Sequence, residues 1–195
     1  MNNDVKFKLI LTDCDGVLLD WEAKFIEWMG AKGFAPNPNE FVYEMAQRFG
    51  MKKPKIREFI REFNESAWIG FLDPFLDSVW GMEQLSAKGY TFGAITSLSE
   101  DEYAKKMRII NLGNLFPTST FEFVECIGTG ADKDESLLSY KDSGMYWIED
   151  KPENAKLGAD LGLNSIMLRH QHNANFSYDG VHVVDNWAQI VNYIN

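Results

Sequence analysis

Short apolar runs alternate with helical stretches along most of this chain, and that alternation constrains its fold more than any other feature. Runs at 7–12, 90–95, 121–127, 145–148, 165–168 and 181–184 are each long enough for one strand. Helical patterns fill 74–88, 99–111, 133–140, 152–161 and 186–193, and Gly89, Gly113 and Gly162 stand where a helix would end on a left-handed residue. Strands joined by helices of this length pair in parallel, because a parallel partner needs a long crossover and an antiparallel one does not. The expected class is α/β: a three-layer, doubly wound, Rossmann-like parallel sheet with helices on both faces.

One interval breaks the rhythm. Between the first two runs the chain reads helical at 21–32, 39–49 and 55–64, with Asn39 as an N-cap and Trp21, Phe25 and Met29 along one helical face. Residues 21–80 hold thirteen of the twenty-seven aromatics. They can build a small core of their own, since each aromatic side chain buries about 150–250 Å². The expectation is a helical cap at 21–72 inserted after the first strand of an α/β core made of 1–20 and 73–195. Two ordinary crossover helices packed on the sheet are the alternative.

A length of 195 residues suits one domain with a small insertion. With 45% hydrophobic and 25% charged residues the chain is neither disordered nor fibrous. Nineteen basic against twenty-nine acidic residues give a net charge of −10, which argues against a nucleic-acid polymer as the main partner. A small phosphorylated substrate remains compatible with that charge if its site is locally positive. Cys14 and Cys126 are too few for a disulfide scaffold, no apolar run reaches membrane-spanning length, and residues 1–8 lack a signal-peptide pattern. The expected setting is cytoplasmic, away from membranes.

Ligands of open parallel sheets bind beyond the carboxyl ends of the strands, so the residues following each run matter most. The first run leads into Asp13-Cys14-Asp15-Gly16-Val17, the second into Thr96-Ser97, and the fourth into Glu149-Asp150. The third is followed by a loop and Lys133 at a helix start. Acids, hydroxyls and a lysine thus converge on one rim. Asp13 and Asp15, two apart on extended chain, can face the same side. Neighbouring carboxylates repel and call for a divalent cation or a shared proton. Oxygen-only donors from Asp13, Asp15, Glu149 and Asp150 suit a hard ion such as Mg²⁺. Lys133 and Thr96 can hold the remaining oxygens of a phosphate. One aspartate can attack phosphorus while the other exchanges protons with the leaving group and with water.

Asp13-x-Asp15-Gly16-Val17, the strand ending Thr96-Ser97, the isolated Lys133, and Glu149-Asp150 with Asn154 resemble the four ordered motifs of the haloacid dehalogenase superfamily. The resemblance spans residues 7 to 168. It implies a Rossmann-like sheet with a cap after the first motif. Asp13 is implied as nucleophile and Asp15 as general acid/base, with Thr96, Ser97 and Lys133 on the phosphoryl group. Mg²⁺ is implied on Asp13, Asp150 and the Asp15 carbonyl, supported by Glu149. The second aspartate marks the phosphatases and phosphomutases of that family rather than its dehalogenases. Two departures stand out. The family's lysine is commonly followed by proline, whereas Asp134 follows Lys133, so Lys151 is an alternative; and Asn154 replaces the second acid of the last motif. The Asp13–Asp20 stretch, Ile95-Thr96-Ser97 and Asp185-Asn186-Trp187 are also similar to 5'(3')-deoxyribonucleotidases, whose cap aromatics stack on the base.

The resulting expectation is a Mg²⁺-dependent phosphatase of small phosphomonoesters, working through an aspartyl-phosphate. A phosphomutase using the same residues, or a catalytically silent binding domain of the same fold, are the alternatives. The basic stretch Lys52, Lys53, Lys55, Arg57 and Arg61 reads as a solvated helix face, with attraction of a phosphorylated substrate as the rival reading. His170 and His172 read as loop residues, since no further soft ligand lies near them in sequence. Cys14 reads as strand-end packing.

Overall fold

The computed structural model describes residues 8–38, 44–117 and 119–194. Six strands form one parallel sheet: β1 (Lys8–Thr12), β2 (Tyr90–Ser97), β3 (Phe121–Ile127), β4 (Tyr146–Glu149), β5 (Asn164–Leu168) and β6 (Val181–Val184), in the order β3-β2-β1-β4-β5-β6. The helices are α1 (Trp21–Ala31), α2 (Met45–Arg48), α3 (Lys53–Asn64), α4 (Leu76–Ala87), α5 (Glu102–Leu115), α6 (Asp134–Leu138), α7 (Pro152–Asp160) and α8 (Trp187–Tyr193).

Alternation along the strands explains the layers. Ile10, Phe92, Ala94 and Ile148 enter one apolar cluster, while their neighbours Leu11, Ile95 and Trp147 enter another on the opposite face. Met82 and Leu85 of α4, Leu112 of α5 and Trp187 of α8 cover the first face; Leu137 of α6 and Leu157 of α7 cover the second. The expected doubly wound, three-layer arrangement is what forms. The strand order reverses between β1 and β4, and Thr12 pairs with Ala94 on one side and Ile148 on the other. This register brings the ends of β1, β2 and β4 to one crevice, where such sheets bind ligands.

The helices between β1 and β2 pack around aromatic rings. Phe63 of α3 lies 5.5 Å from Trp21, 5.4 Å from Phe25 and 5.5 Å from Trp28. Phe25 and Met29 are buried and Trp21 partly so, as their shared face requires. These side chains are continuous with the larger of the two clusters.

Several sequence-level expectations need correction. Of the helix expected at 39–49, only Met45–Arg48 is helical among the described residues, and Asn39 lies outside them. Gly113 does not end a helix: α5 continues to Leu115, which packs against the core beside the buried Leu112. Gly89 and Gly162 do follow helices with positive φ, +83° and +77°. The helix expected at 133–140 shortens to Asp134–Leu138. Short 3₁₀ turns at Ala67–Phe71 and Gln171–Asn173 carry no periodic signal and were not anticipated. Among the described residues no helix is long and apolar enough to cross a membrane.

Candidate active site

The crevice at the ends of β1 and β4 gathers charge. The Asp13 amide donates to the Ile148 carbonyl (2.9 Å), extending the β1–β4 ladder by one step and fixing the side chain beyond the sheet. Asp13 Oδ1 accepts the Cys14 amide at 2.7 Å, and Oδ2 meets the Lys133 ammonium at 2.8 Å. The same Lys133 Nζ donates to Glu149 Oε2 at 2.8 Å. Glu149 Oε1 accepts the Lys151 amide at 3.0 Å, so both Glu149 oxygens are engaged. Lys133 itself is 1% exposed. Lys133 thus reaches Asp13 and Glu149 although Asp134 follows it, and Lys151 lines the same cavity.

Asp13, Glu149 and Asp150 present carboxylate oxygens within 4.8 Å of one another. Asp150 is held from behind: Asn173 Nδ2 donates to its carbonyl at 2.7 Å. Gly16 lies against its carboxylate. A Cβ on Gly16 would fall 2.2 Å from Asp150 Oδ2, and φ is +81°, so the turn after Asp15 demands glycine twice over. His170 Nε2 lies 2.6 Å from the Gly16 carbonyl, and the His172 ring lies 3.7 Å from Asp150 Oδ2. Both histidines, read from sequence as ordinary loop residues, face the site.

The electrostatics follow from burial. The Asp13 carboxyl is pushed up to about 8, first by desolvation and then by Glu149, with Lys133 opposing. Asp150 rises to about 7, by desolvation and then by the charge of Asp13. Glu149 is also raised, chiefly by burial. Burial disfavours the Lys133 cation, but Asp13 and Glu149 outweigh it and its pKa rises. Three carboxylates around one ammonium leave an excess of negative charge that a divalent cation would neutralise, and the donors are all hard oxygens.

Asp15 points elsewhere. Arg108 of α5 grips it bidentately, Nη1 to Oδ1 at 2.7 Å and Nη2 to Oδ2 at 2.9 Å. Arg108 is 0% exposed and the Asp15 side chain 23%. Sequence reading missed this arginine. The signal was present: Ala104, Arg108 and Leu112 share the buried stripe of α5. Thr96 is fully buried with its hydroxyl unpartnered, whereas Ser97 Oγ donates to the Ala131 carbonyl at 2.9 Å. Neither caps the next helix; Asp101 does, through Ala104 N–H. Lys151, without a side-chain cap bond, precedes α7, so Glu149 and Asp150 are not helix caps.

Asp13, Asp15, Thr96, Ser97, Lys133, Glu149 and Asp150 all line one cavity of about 1410 Å³. α3 contributes Lys53, Arg57 and Arg61 to its lining, so part of the basic stretch read as a solvated face borders the cavity. Of the described aromatics from 21 to 80, Trp21 and Phe75 line it, while Phe25, Trp28, Phe59 and Phe63 are spent on packing. Cys14 is buried and, like Cys126, free. Trp187 is core, its indole N–H donating to the Val17 carbonyl at 3.0 Å.

A parallel sheet in this order, with acids at the switch point and a helical insertion after β1, is the fold of the haloacid dehalogenase superfamily, as the sequence motifs imply. The chain is similar throughout to CbbY of Rhodobacter sphaeroides, solved with phosphate (TM-score 0.62, 14% identity, 94% of this chain and 96% of that one). It is similar to a HAD phosphatase from Thermococcus onnurineus (0.60, 15%, 97% and 98%) and to an L-2-haloacid dehalogenase (0.60, 13%, 97% and 100%). No family model matches the chain. An uncharacterized 32.4 kDa protein of Enterobacteria phage T4, from the Gp30–rIII intergenic region, is 30% identical over 129 residues, covering 60% of this chain and 44% of the relative. The chain therefore spans less than half the length of that relative.

Proposed function

We propose that the protein is a Mg²⁺-dependent cytoplasmic phosphatase that hydrolyses a small phosphomonoester, a metabolite or a nucleotide, through an aspartyl-phosphate on Asp13. Residues 21–72 act as the cap over the site. One observation carries the reading: the buried Lys133 ammonium bridges Asp13 and Glu149 at 2.8 Å each. Asp150 and the orphaned Thr96 hydroxyl share the same cavity.

Roles follow from position. Asp13 is the nucleophile; its carboxylate bonds to phosphorus as the bond to the leaving oxygen breaks. Asp15, which borders the cavity but is paired with Arg108, must first leave that pair; it then gives that oxygen a proton and later takes one from the water that cleaves the aspartyl-phosphate, restoring Asp13 and releasing phosphate. Thr96, Ser97 and Lys133 bind the phosphoryl oxygens, and the unpartnered Thr96 hydroxyl is the donor left free to do so. Glu149 holds Lys133 in place. Mg²⁺ would be held by Asp13, Asp150 and the Asp15 carbonyl, where it supplies charge neutralisation for the phosphate.

Phosphate release from p-nitrophenyl phosphate, sugar phosphates and nucleotides, with Mg²⁺ and with chelator, tests the reading. We expect chelation and Asp13→Asn each to lower the rate at least about a thousandfold, since metal and nucleophile each supply several kcal/mol. Unchanged release in Asp13→Asn would end the nucleophile assignment. Isomerised ester without free phosphate would establish a phosphomutase instead, and activity confined to deoxynucleoside monophosphates would place it with the nucleotidases.

A further inference from the structure

The turn after β5 grips both acidic segments of the crevice, and the chemistry proposed above makes no use of it. His170 caps the 3₁₀ turn Gln171–Asn173 and His172 lies within it; both line the cavity. Their rings stack, with centroids 5.7 Å apart and planes 15° from parallel. His170 Nε2 is 2.6 Å from the Gly16 carbonyl, and His172 Nε2 is 3.3 Å from the Asp150 carbonyl. A carbonyl oxygen only accepts, so both ring nitrogens carry the hydrogen. Asn173 Nδ2 shares the Asp150 carbonyl at 2.7 Å, and Asn173 Oδ1 takes the His170 amide at 2.7 Å. One short turn is thereby tied to the segment after β1 and to the segment after β4.

The Gly16 bond matters because of the peptide just before it. The Gly16 amide donates to the Leu19 carbonyl at 3.0 Å, and the chain has no cis peptide among the described residues. A trans peptide sets its C=O opposite its N–H, so the Asp15 carbonyl is aimed away from Leu19. Leu19 therefore fixes the peptide before Gly16 and His170 the one after it. Together they remove the backbone freedom that a glycine at φ +81° otherwise brings.

We propose that His170 is a positioning residue for the cation site, acting through Gly16, with His172 as its lesser partner on Asp150. The turn after β5 then sets the placement of the Asp15 carbonyl relative to the Asp150 carboxylate, and so how tightly a divalent cation is held. The proposal rests on the phosphatase reading in taking a cation to bind between these groups. Side chains that orient metal ligands from behind are typically worth about 10–100-fold in metal affinity. His172 makes the longer bond and shares its acceptor with Asn173, so it contributes less.

Titration of the full chain with Mn²⁺, followed by the electron paramagnetic resonance signal of the free ion, reads affinity without turnover. Mn²⁺ takes the same oxygen donors as Mg²⁺. His170→Phe keeps a ring beside Phe75, whose centroid is 5.9 Å away, but removes the N–H. It should weaken Mn²⁺ binding about tenfold or more, and His170→Gln, which restores a donor, should return it to within about threefold of wild type. His172→Phe should weaken binding less than His170→Phe does. A turn with a merely structural role would lower the urea midpoint and leave the affinity of the folded protein unchanged. Affinity in His170→Phe within about twofold of wild type, or His170→Gln binding no better than His170→Phe, overturns the proposal. Hydrogen exchange in the metal-free proteins gives a second reading: peptides covering 14–20 should exchange faster in His170→Phe while those of α3 do not. Unchanged exchange at 14–20 overturns the proposal whatever the variant binds. Asp150→Asn separates the two readings. If wild type binds no Mn²⁺, or Asp150→Asn binds it as tightly, the cation site fails and the proposal with it; if Asp150→Asn weakens binding and His170→Phe does not, the proposal alone fails.

Discussion

At the scale of single residues, the site depends on atoms that are easy to overlook. Gly16 is the sharpest case. Adding one methyl group forces positive φ on a residue with a Cβ and drives that carbon to 2.2 Å from Asp150 Oδ2. Gly16→Ala should therefore lower stability by about 1–2 kcal/mol from the backbone alone, and it should cost more activity than stability because Asp150 must move. Urea denaturation read beside Mg²⁺-dependent phosphate release checks both; wild-type activity in this variant would detach Asp150 from the chemistry. Arg108 is the second case. Arg108→Met leaves Asp15 without its bidentate partner and buries an unbranched side chain where a cation stood. Breaking a buried pair costs about 3–5 kcal/mol, and Asp15 is 23% exposed, so the loss should lie at the bottom of that range. Arg108→Lys keeps the charge but not the fork, and should recover only part of it. Identical unfolding curves for Arg108→Met and wild type would mean that the pair contributes nothing.

At the scale of elements, the sheet was legible because each strand is a short apolar run and each crossover a helix-length interval. The acids could be read because Asp13 and Asp15 lie just beyond β1, and Glu149 and Asp150 end and follow β4, where the chain leaves the sheet beside the crevice. Lys133 was legible only as an isolated lysine after β3. Its burial depends on a loop whose path no periodicity encodes. Arg108 was hidden among Lys105 and Lys106 on a helix that looks solvent-facing until its buried stripe is traced. The histidines were hidden for a related reason: the Arg169 amide bonds to Val184 and Asn173 reaches back to Asp150, and those long-range bonds turn the loop inward. Aromatic richness pointed to the insertion but not to a ligand surface, since most of those rings meet each other. Phe63 is the centre of that packing, fully buried against Trp21, Phe25 and Trp28. Phe63→Ala should cost about 3–5 kcal/mol, seen as a lower urea midpoint. A loss under 1 kcal/mol would show that these helices are not held by their aromatic cluster.

At the scale of the whole molecule, a cluster of buried like charges opposes folding, and the sign of its pH dependence follows. Asp13 and Asp150 are raised from ordinary carboxylate values to about 8 and about 7, first by burial, then by the charge of Glu149 on Asp13 and of Asp13 on Asp150. Between about pH 4 and pH 8 these two groups therefore hold protons in the folded protein that they release in the unfolded chain, so their contribution to stability is fullest below about 4 and falls as pH rises toward 8. A divalent cation competes with those protons for the same oxygens. Its stabilising effect should be small near pH 5.5, where Asp13 and Asp150 are protonated, and should grow up to about pH 8. Melting temperatures measured with and without Mg²⁺ across that range should diverge as pH increases. Asp13→Asn should flatten both the decline of the metal-free protein and the divergence, because it removes one buried charge and one metal oxygen together. A Mg²⁺ shift that is the same at pH 5.5 and pH 8 would mean that the cation binds outside the acidic cluster, and the site would then be a buried ion-pair network rather than a metal centre.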